Sequence, residues 1–77
     1  MLIEFELPKG DVVAYRVLKQ LKHELLLWSD RYHIKMTQKT VKYIHRVCFD
    51  QDDHYSLFAV TWRGPEFRVI KNRNFQP

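Results

Sequence analysis

Near the start of the chain, apolar and acidic residues alternate, and this alternation predicts a β-strand. The apolar positions are Ile3, Phe5 and Leu7, and the residues between them are Glu4 and Glu6. A period of two residues is typical of a strand with one face buried and the other in water. Residues 8–10 break the pattern, and Asp11 then has a side chain that is common at helix N-caps.

From residue 12 to about residue 31 the apolar residues recur at steps of three and four, which predicts an amphipathic helix. Its apolar stripe consists of Ala14, Leu18, Leu21, Leu25 and Trp28. The opposite side carries Arg16, Lys19, Lys22 and His23. The predicted helix therefore has a basic side, which is either a phosphate-binding stripe or an ordinary solvated surface.

The rest of the chain has the composition of strands. Residues 40–49 and 54–62 are rich in β-branched and aromatic residues, and the polar residues 50–53 between them have the length of a hairpin loop. A second turn over residues 63–66 leads into a last strand over residues 67–71.

Together these patterns predict an α+β fold with the element order β-α-β-β-β. One amphipathic helix packs on a mainly antiparallel four-stranded sheet, in a single domain over residues 1–71 that is followed by a polar tail over residues 72–77. A chain of 77 residues has room for one domain. Its hydrophobic share of 45% is enough for a core, so we do not expect disorder.

A hairpin that closes at residues 50–53 determines which residues share a face of the sheet. The predicted core face consists of Val41, Tyr43, Val47, Phe49, Phe58, Val60, Trp62, Phe67 and Val69. The predicted outer face consists of Lys42, Ile44, Arg46, Cys48, Tyr55, Leu57, Ala59, Thr61, Arg68 and Ile70. Because this outer face combines apolar residues with a rim of cations, we expect it to be a contact surface.

Charge points to the kind of partner. The formal net charge of the chain is +4, and residues 31–49 hold five of its thirteen lysines and arginines without a single acid. These five are Arg31, Lys35, Lys39, Lys42 and Arg46. A basic segment that is also apolar enough to form strands is typical of a surface that meets a negatively charged partner.

We therefore expect a small basic binding protein without enzymatic activity, whose ligand is nucleic acid, with RNA favoured. The candidate contact residues are Lys42, Arg46, Arg68, Arg16, Lys19, Lys22, Lys35, Lys39 and Tyr55. The cations would neutralise phosphates, and the tyrosine would stack on an unpaired base. The alternative is an inhibitor or adaptor that docks on an acidic protein through the apolar part of the sheet, with the interface residues Ile44, Leu57, Ala59 and Ile70.

The sequence contains no catalytic or cofactor motif. A second alternative, a small ribonuclease-like toxin, would need His33 or His45 as a general base beside Arg46. The histidines lack the spacing of a zinc site. The acid-rich residues 50–54 lack the spacing of a calcium loop, so we interpret them as a turn and expect no metal and no cofactor.

The remaining expectations concern location and assembly. The single Cys48 cannot form an internal disulfide, which favours a reducing, cytoplasmic location. No apolar run approaches the roughly 20 residues needed to cross a bilayer, so we expect no membrane partner. We expect a homodimer, formed through the outer sheet face or an edge strand. A compact basic chain of this kind is also what phages and mobile elements carry as accessory regulatory factors.

Overall fold

The computed structural model describes residues 1–70. Its elements are β1 (Leu2–Glu6), α1 (Asp11–Tyr32), β2 (Thr37–Val41), β3 (Ile44–Cys48), α2 (Asp52–Thr61) and β4 (Arg68–Ile70). The fold class is α+β with a four-stranded antiparallel sheet, as predicted. The element order differs from the prediction by one helix, α2. Residue 71 and the predicted tail over residues 72–77 lie outside the described residues.

Helix α1 confirms the apolar stripe of the sequence. Its buried residues are Ala14, Leu21, Leu25 and Trp28. The N-cap is Gly10 rather than Asp11, and its φ of 116° is a conformation that glycine adopts without strain. Asp11 lies in the first turn, where its carboxylate accepts a 3.0 Å hydrogen bond from the hydroxyl of Tyr43. The helix ends at Tyr32, and the C-cap residue His33 has a left-handed conformation (φ 56°) that turns the chain away from the helix axis.

Residues 40–49, predicted as one strand, are divided between two. Strands β2 and β3 form a hairpin with Lys42 and Tyr43 as its two-residue turn. Lys42 has a φ of 54°, and the carbonyl of Tyr43 accepts a 2.7 Å hydrogen bond from the N–H of Leu7. The turn lacks the glycine or asparagine that usually marks such a hairpin, which explains why the sequence pattern did not reveal it.

Residues 54–62, predicted as a strand, lie almost entirely in helix α2. Two aspartates in its first turn favour a helix because carboxylates are stabilised by the positive end of the helix dipole. Tyr55, Phe58 and Trp62 are spaced by three and four residues, and all three side chains belong to or pack against the core. The predicted hairpin at residues 50–53, and every strand pairing derived from it, is therefore wrong.

The sheet has the strand order β2-β3-β1-β4, so that β1 and β3 are the central strands. Ile3, Phe5 and Val47 point to one side of these strands and share a single core with both helices. The two helices of residues 1–70 thus pack on the same side of the sheet. Neither of them is long and apolar enough to cross a membrane.

Aromatic rings fill the space between the helices and the sheet. Phe58 lies at the centre of this cluster and is fully buried. Its ring centroid is 4.8 Å from that of Trp62, 4.9 Å from that of Trp28 and 5.2 Å from that of Phe49. Phe58 is thus the one residue of α2 that is fully buried, and Tyr55 and Leu57 pack against the core beside it.

The predicted core face is correct only in part. Three of its residues are buried, namely Val47, Phe49 and Phe58. Three others are half-buried and pack against the core, namely Tyr43, Trp62 and Phe67. The last three are exposed, namely Val41, Val60 and Val69.

Candidate nucleic-acid interface

The side of the sheet away from both helices is called the open face here. Its side chains follow from the register, because residues paired across antiparallel strands point to the same side. They are Thr37, Lys39 and Val41 of β2, Ile44, Arg46 and Cys48 of β3, Leu2, Glu4 and Glu6 of β1, and Arg68 and Ile70 of β4. No helix of residues 1–70 packs on this side, so these side chains form the surface that is available to a partner.

Four charged residues form a row across the middle of the open face. Lys39 is paired with Arg46, Arg46 with Glu4, and Glu4 with Arg68, so the row crosses all four strands. With three cations and one acid, the row has a formal charge of +2. We call these four residues the charged row.

Glu4 joins the two arginines of the charged row. Its Oε2 accepts a 2.9 Å hydrogen bond from Nε of Arg46, and its Oε1 accepts one of 3.3 Å from Nη2 of Arg68. The glutamate is buried, whereas the arginine side chains are 44% and 59% exposed. One buried carboxylate therefore orients two guanidinium groups that still face solvent.

Apolar residues flank the charged row on both sides. One flank pairs Leu2 with both Cys48 and Ile70. The other flank contains Val41 and Ile44, which lie beside the hairpin turn and line a cleft of about 770 Å³ together with Pro8, Lys9 and Lys42. The exposed Glu6 is paired with Ile44 on this flank. The open face is thus a basic band between two largely apolar borders, one of which also carries an acid.

The structure places the predicted contact residues on different surfaces. Lys39, Arg46 and Arg68 come together in the charged row, and Lys42 lies at the hairpin tip at one end of the open face. The loop between α1 and β2 carries Lys35. The remaining cations, Arg16, Lys19 and Lys22, are exposed on α1, on the helix side of the sheet.

Tyr55, predicted on the same sheet face as the cations, lies in helix α2 instead. Its ring centroid is 6.1 Å from that of Phe49 and 6.4 Å from that of Phe67, both on the helix side of the sheet. The tyrosine therefore packs against the core and does not offer a stacking surface beside the arginines. None of the open-face residues listed above is aromatic.

The predicted interface residues are divided in the same way. Ile44 and Ile70 lie on the open face, in the two different apolar borders. Leu57 and Ala59 belong to helix α2, and Leu57 packs against the core. The apolar patch that the predicted register produced does not exist as one surface, because half of it depended on the strand that is in fact α2.

Glu4 is the residue of this site that the sequence interpretation missed. Its alternation with Ile3 and Phe5 indicated the solvent side of a strand, which is correct for the face it occupies. Nothing in the local pattern shows that β1 is a central strand, so the two arginine neighbours were not foreseeable. The sequence signal that could have indicated this role is the presence of a glutamate in a basic chain, because such a residue can form ion pairs with nearby cations.

His45 lies on the helix side of β3 and is fully buried. Its Nδ1 is 2.8 Å from Oγ1 of Thr40 and its Nε2 is 2.9 Å from Oε1 of Gln38. Because an amide oxygen can only accept, the neutral Nε2–H form satisfies both contacts, with the threonine hydroxyl as donor to Nδ1. Burial, and then the positive charge of Lys22, lower the pKa of His45 below 6.5.

The position of His45 bears on the ribonuclease alternative. Arg46 is the next residue of β3 and therefore points to the open face, on the opposite side of the sheet. The pair does not share a site, and the imidazole is enclosed by its two hydrogen-bond partners.

The acid-rich residues 50–54 do not form a cluster of metal ligands. The described part of the chain contains no group of three or more potential metal-binding side chains.

Comparison of the chain with protein-family models, curated proteins and solved structures finds no match.

Proposed function

We propose that this chain is a small nucleic-acid-binding protein, with RNA favoured, that contacts the phosphate backbone through the charged row. The observation that supports the proposal is the convergence of Lys39, Arg46 and Arg68, from three strands, on one surface that no helix of residues 1–70 covers. Arginine is well suited to phosphate because its planar guanidinium presents several N–H donors in a fixed arrangement. Lys42 at the hairpin tip extends the positive charge beyond the row.

The chemistry of the open face also indicates how it would bind. Reading of unpaired bases relies on aromatic side chains that stack on them, and the open face carries none. Contacts would therefore be with phosphates, and binding would depend weakly on sequence. Duplex RNA, whose bases are already stacked, would bind about as well as a single strand.

Salt dependence gives the expected magnitude. Three phosphate contacts correspond to a slope of log K against log salt of about −2 for single strands and about −3 for duplexes. Between about 50 mM and 200 mM salt the affinity for a single strand should fall about 20-fold. The measurement is fluorescence anisotropy with labelled single-stranded RNA and with the duplex of the same sequence.

A pair of charge reversals tests which surface is responsible. Lys39→Glu changes the charged row, whereas Lys19→Glu makes the same change of charge on the exposed side of α1. We expect Lys39→Glu to weaken binding at least about fivefold and to reduce the salt slope by about 1, and Lys19→Glu to do much less. The reverse order would assign the interface to the helix, and a wild-type chain that binds no RNA at low salt would refute the proposal.

The apolar borders of the open face support a second candidate function, docking on an acidic protein. Leu2, Cys48 and Ile70 are neighbours on three strands, and an arginine-rich surface with apolar surroundings is common at protein interfaces. Ile70→Asn, which adds no charge to that border, should weaken such docking while leaving the phosphate contacts in place. An interaction that survives high salt but is lost in Ile70→Asn would favour this candidate.

A homodimer and a cytoplasmic location belong to the same proposal. If two copies associated through their open faces, the charged row would be covered, so dimer formation and RNA binding would compete. Light scattering measures the mass of the protein with and without RNA. RNA should dissociate a dimer formed through the open faces, whereas a dimer formed through an edge strand would leave the charged row accessible and should persist.

A further inference from the structure

We propose that Glu4 is a positioning residue that increases the affinity for phosphate in spite of its negative charge. This inference rests on the proposed function, because it concerns how the charged row would hold a phosphodiester. Simple electrostatics predicts the opposite, since an acid in the middle of a cationic surface repels an anionic ligand. The geometry of the two ion pairs explains why positioning outweighs repulsion.

The first step of the argument is the orientation of Arg46 and Arg68. Each guanidinium has five N–H donors, and each gives one of them to Glu4, Arg46 from Nε and Arg68 from Nη2. The remaining donors make no hydrogen bond with any other side chain or carbonyl of residues 1–70. Because both arginines are anchored on the same carboxylate, their unused donors are held close together above β1.

The second step concerns entropy. A free arginine side chain has many rotamers, and a ligand that immobilises it must overcome that loss of freedom. Glu4 has already restricted both side chains before the ligand arrives. Glu4 is buried and lies on β1, which is paired on both sides, so the two guanidinium groups are anchored to a central strand rather than to a loop.

The third step concerns charge. Glu4 is buried beneath two guanidinium groups, whereas a ligand approaches from the solvent side, where the arginines are exposed. A phosphate would therefore meet the cations before the carboxylate. Glu6, two residues along the same strand, faces the same side but is exposed and makes no ion pair among the described residues. The two glutamates are thus matched in strand and face, and differ in their contacts.

The test compares Glu4→Gln with Glu6→Gln, each of which removes one negative charge from the open face. Binding of a labelled duplex RNA is measured by anisotropy over a range of salt concentrations. We expect Glu6→Gln to bind more tightly than the wild type, and Glu4→Gln to bind about fivefold more weakly, because two side chains must be ordered by the ligand. Equal strengthening by both variants would overturn the inference while leaving the proposed function intact.

A third variant separates position from charge. Glu4→Asp keeps the negative charge but shortens the side chain by one methylene, so it cannot reach both arginines in the same way. The inference requires weaker binding here too, and binding equal to that of the wild type would overturn it. Because Glu4→Asp retains a carboxylate beside the arginines, it also serves if Glu4→Gln does not fold.

An NMR measurement on the protein without RNA completes the test. The Nε–H of Arg46 is hydrogen-bonded to Glu4, so its resonance should be visible and slow to exchange with water in the wild type. It should broaden or exchange faster in Glu4→Gln, and an unchanged signal would overturn the positioning role. A wild-type chain that shows this signal yet binds no RNA would overturn both the inference and the proposed function.

Discussion

The assignment of residues 52–61 to a helix rather than a strand can be tested with two substitutions. The strand that the sequence predicted places Phe58 and Val60 together in the core, since residues two apart share a face. In helix α2 they point in different directions, and Phe58 is fully buried whereas Val60 is 70% exposed. Phe58→Ala and Val60→Ala should therefore differ greatly in their effect on the free energy of unfolding.

The magnitudes follow from burial. Replacing a buried phenylalanine by alanine costs about 3–5 kcal/mol, and the contacts of Phe58 with four neighbouring rings place it in the upper part of that range. A domain of this size has a total stability of about 4–11 kcal/mol, so Phe58→Ala would be marginally folded. Val60→Ala should change stability by less than about 0.5 kcal/mol, because alanine favours an exposed helical position.

Urea unfolding followed by circular dichroism measures both values. With an m-value of about 1 kcal/mol/M, Phe58→Ala should lower the midpoint by about 3 M or more, while Val60→Ala should leave it almost unchanged. If the alanine variant is unfolded in water, the loss of stability can be measured with Phe58→Leu, which retains most of the apolar volume. A cost above about 2 kcal/mol for Val60→Ala would refute the helix. A cost below about 1 kcal/mol for Phe58→Ala would refute the central role of the aromatic cluster.

Three further predictions concern single positions. The folded state keeps His45 neutral, because burial and the charge of Lys22 lower its pKa below the 6.5 of the unfolded chain. The contribution of His45 to the free energy of unfolding should thus be constant above about pH 7 and fall as the pH drops below 6.5, by at most about 1.4 kcal/mol per pH unit. Urea titrations of His45→Asn should lack this pH-dependent contribution. Gly64→Ala would place a Cβ in steric overlap with the indole ring of Trp62, so we expect a loss of about 1–3 kcal/mol of stability and a shift in the tryptophan fluorescence maximum. Lys42→Gly relieves the left-handed conformation (φ 54°) in the hairpin turn and should raise the urea midpoint by about 1 M or less, whereas a lower midpoint would show that this conformation carries no strain.

Local patterns predicted those elements whose apolar residues recur with a regular period. The strand β1 and the helix α1 were evident from periods of two and of three to four, because each period decides which side chains can be buried together. The α+β class followed from them. The second helix was missed because Phe58, Val60 and Thr61 have high strand propensity. The aspartates of its first turn and the burial of Phe58 against Trp28 and Phe49 favour the helix over that propensity.

The candidate site shows the same limit more clearly. That Arg46 and Arg68 belong to one surface was predicted, although from a wrong register, since β3 and β4 were expected to lie on either side of a strand over residues 54–62. In the structure both flank β1, which is distant from them in sequence. Which strand lies in the middle of a sheet depends on pairing across the whole chain, and neither charge nor periodicity of one segment determines it.

The pairing of Lys39 with Arg46 on the open face supports the proposal of an anionic ligand. Lys39 and Arg46 stand directly opposite each other on adjacent strands, an arrangement that destabilises a sheet because like charges repel at this distance. Glu4 compensates one of the two positive charges of Arg46 and Arg68, and it makes no ion pair with Lys39 among the described residues. A sheet selected for stability alone would be expected to place an acid or a neutral residue opposite Arg46. A cation at this position is more easily explained if a phosphate binds across the pair, because the same anion would relieve the repulsion and complete the charged row.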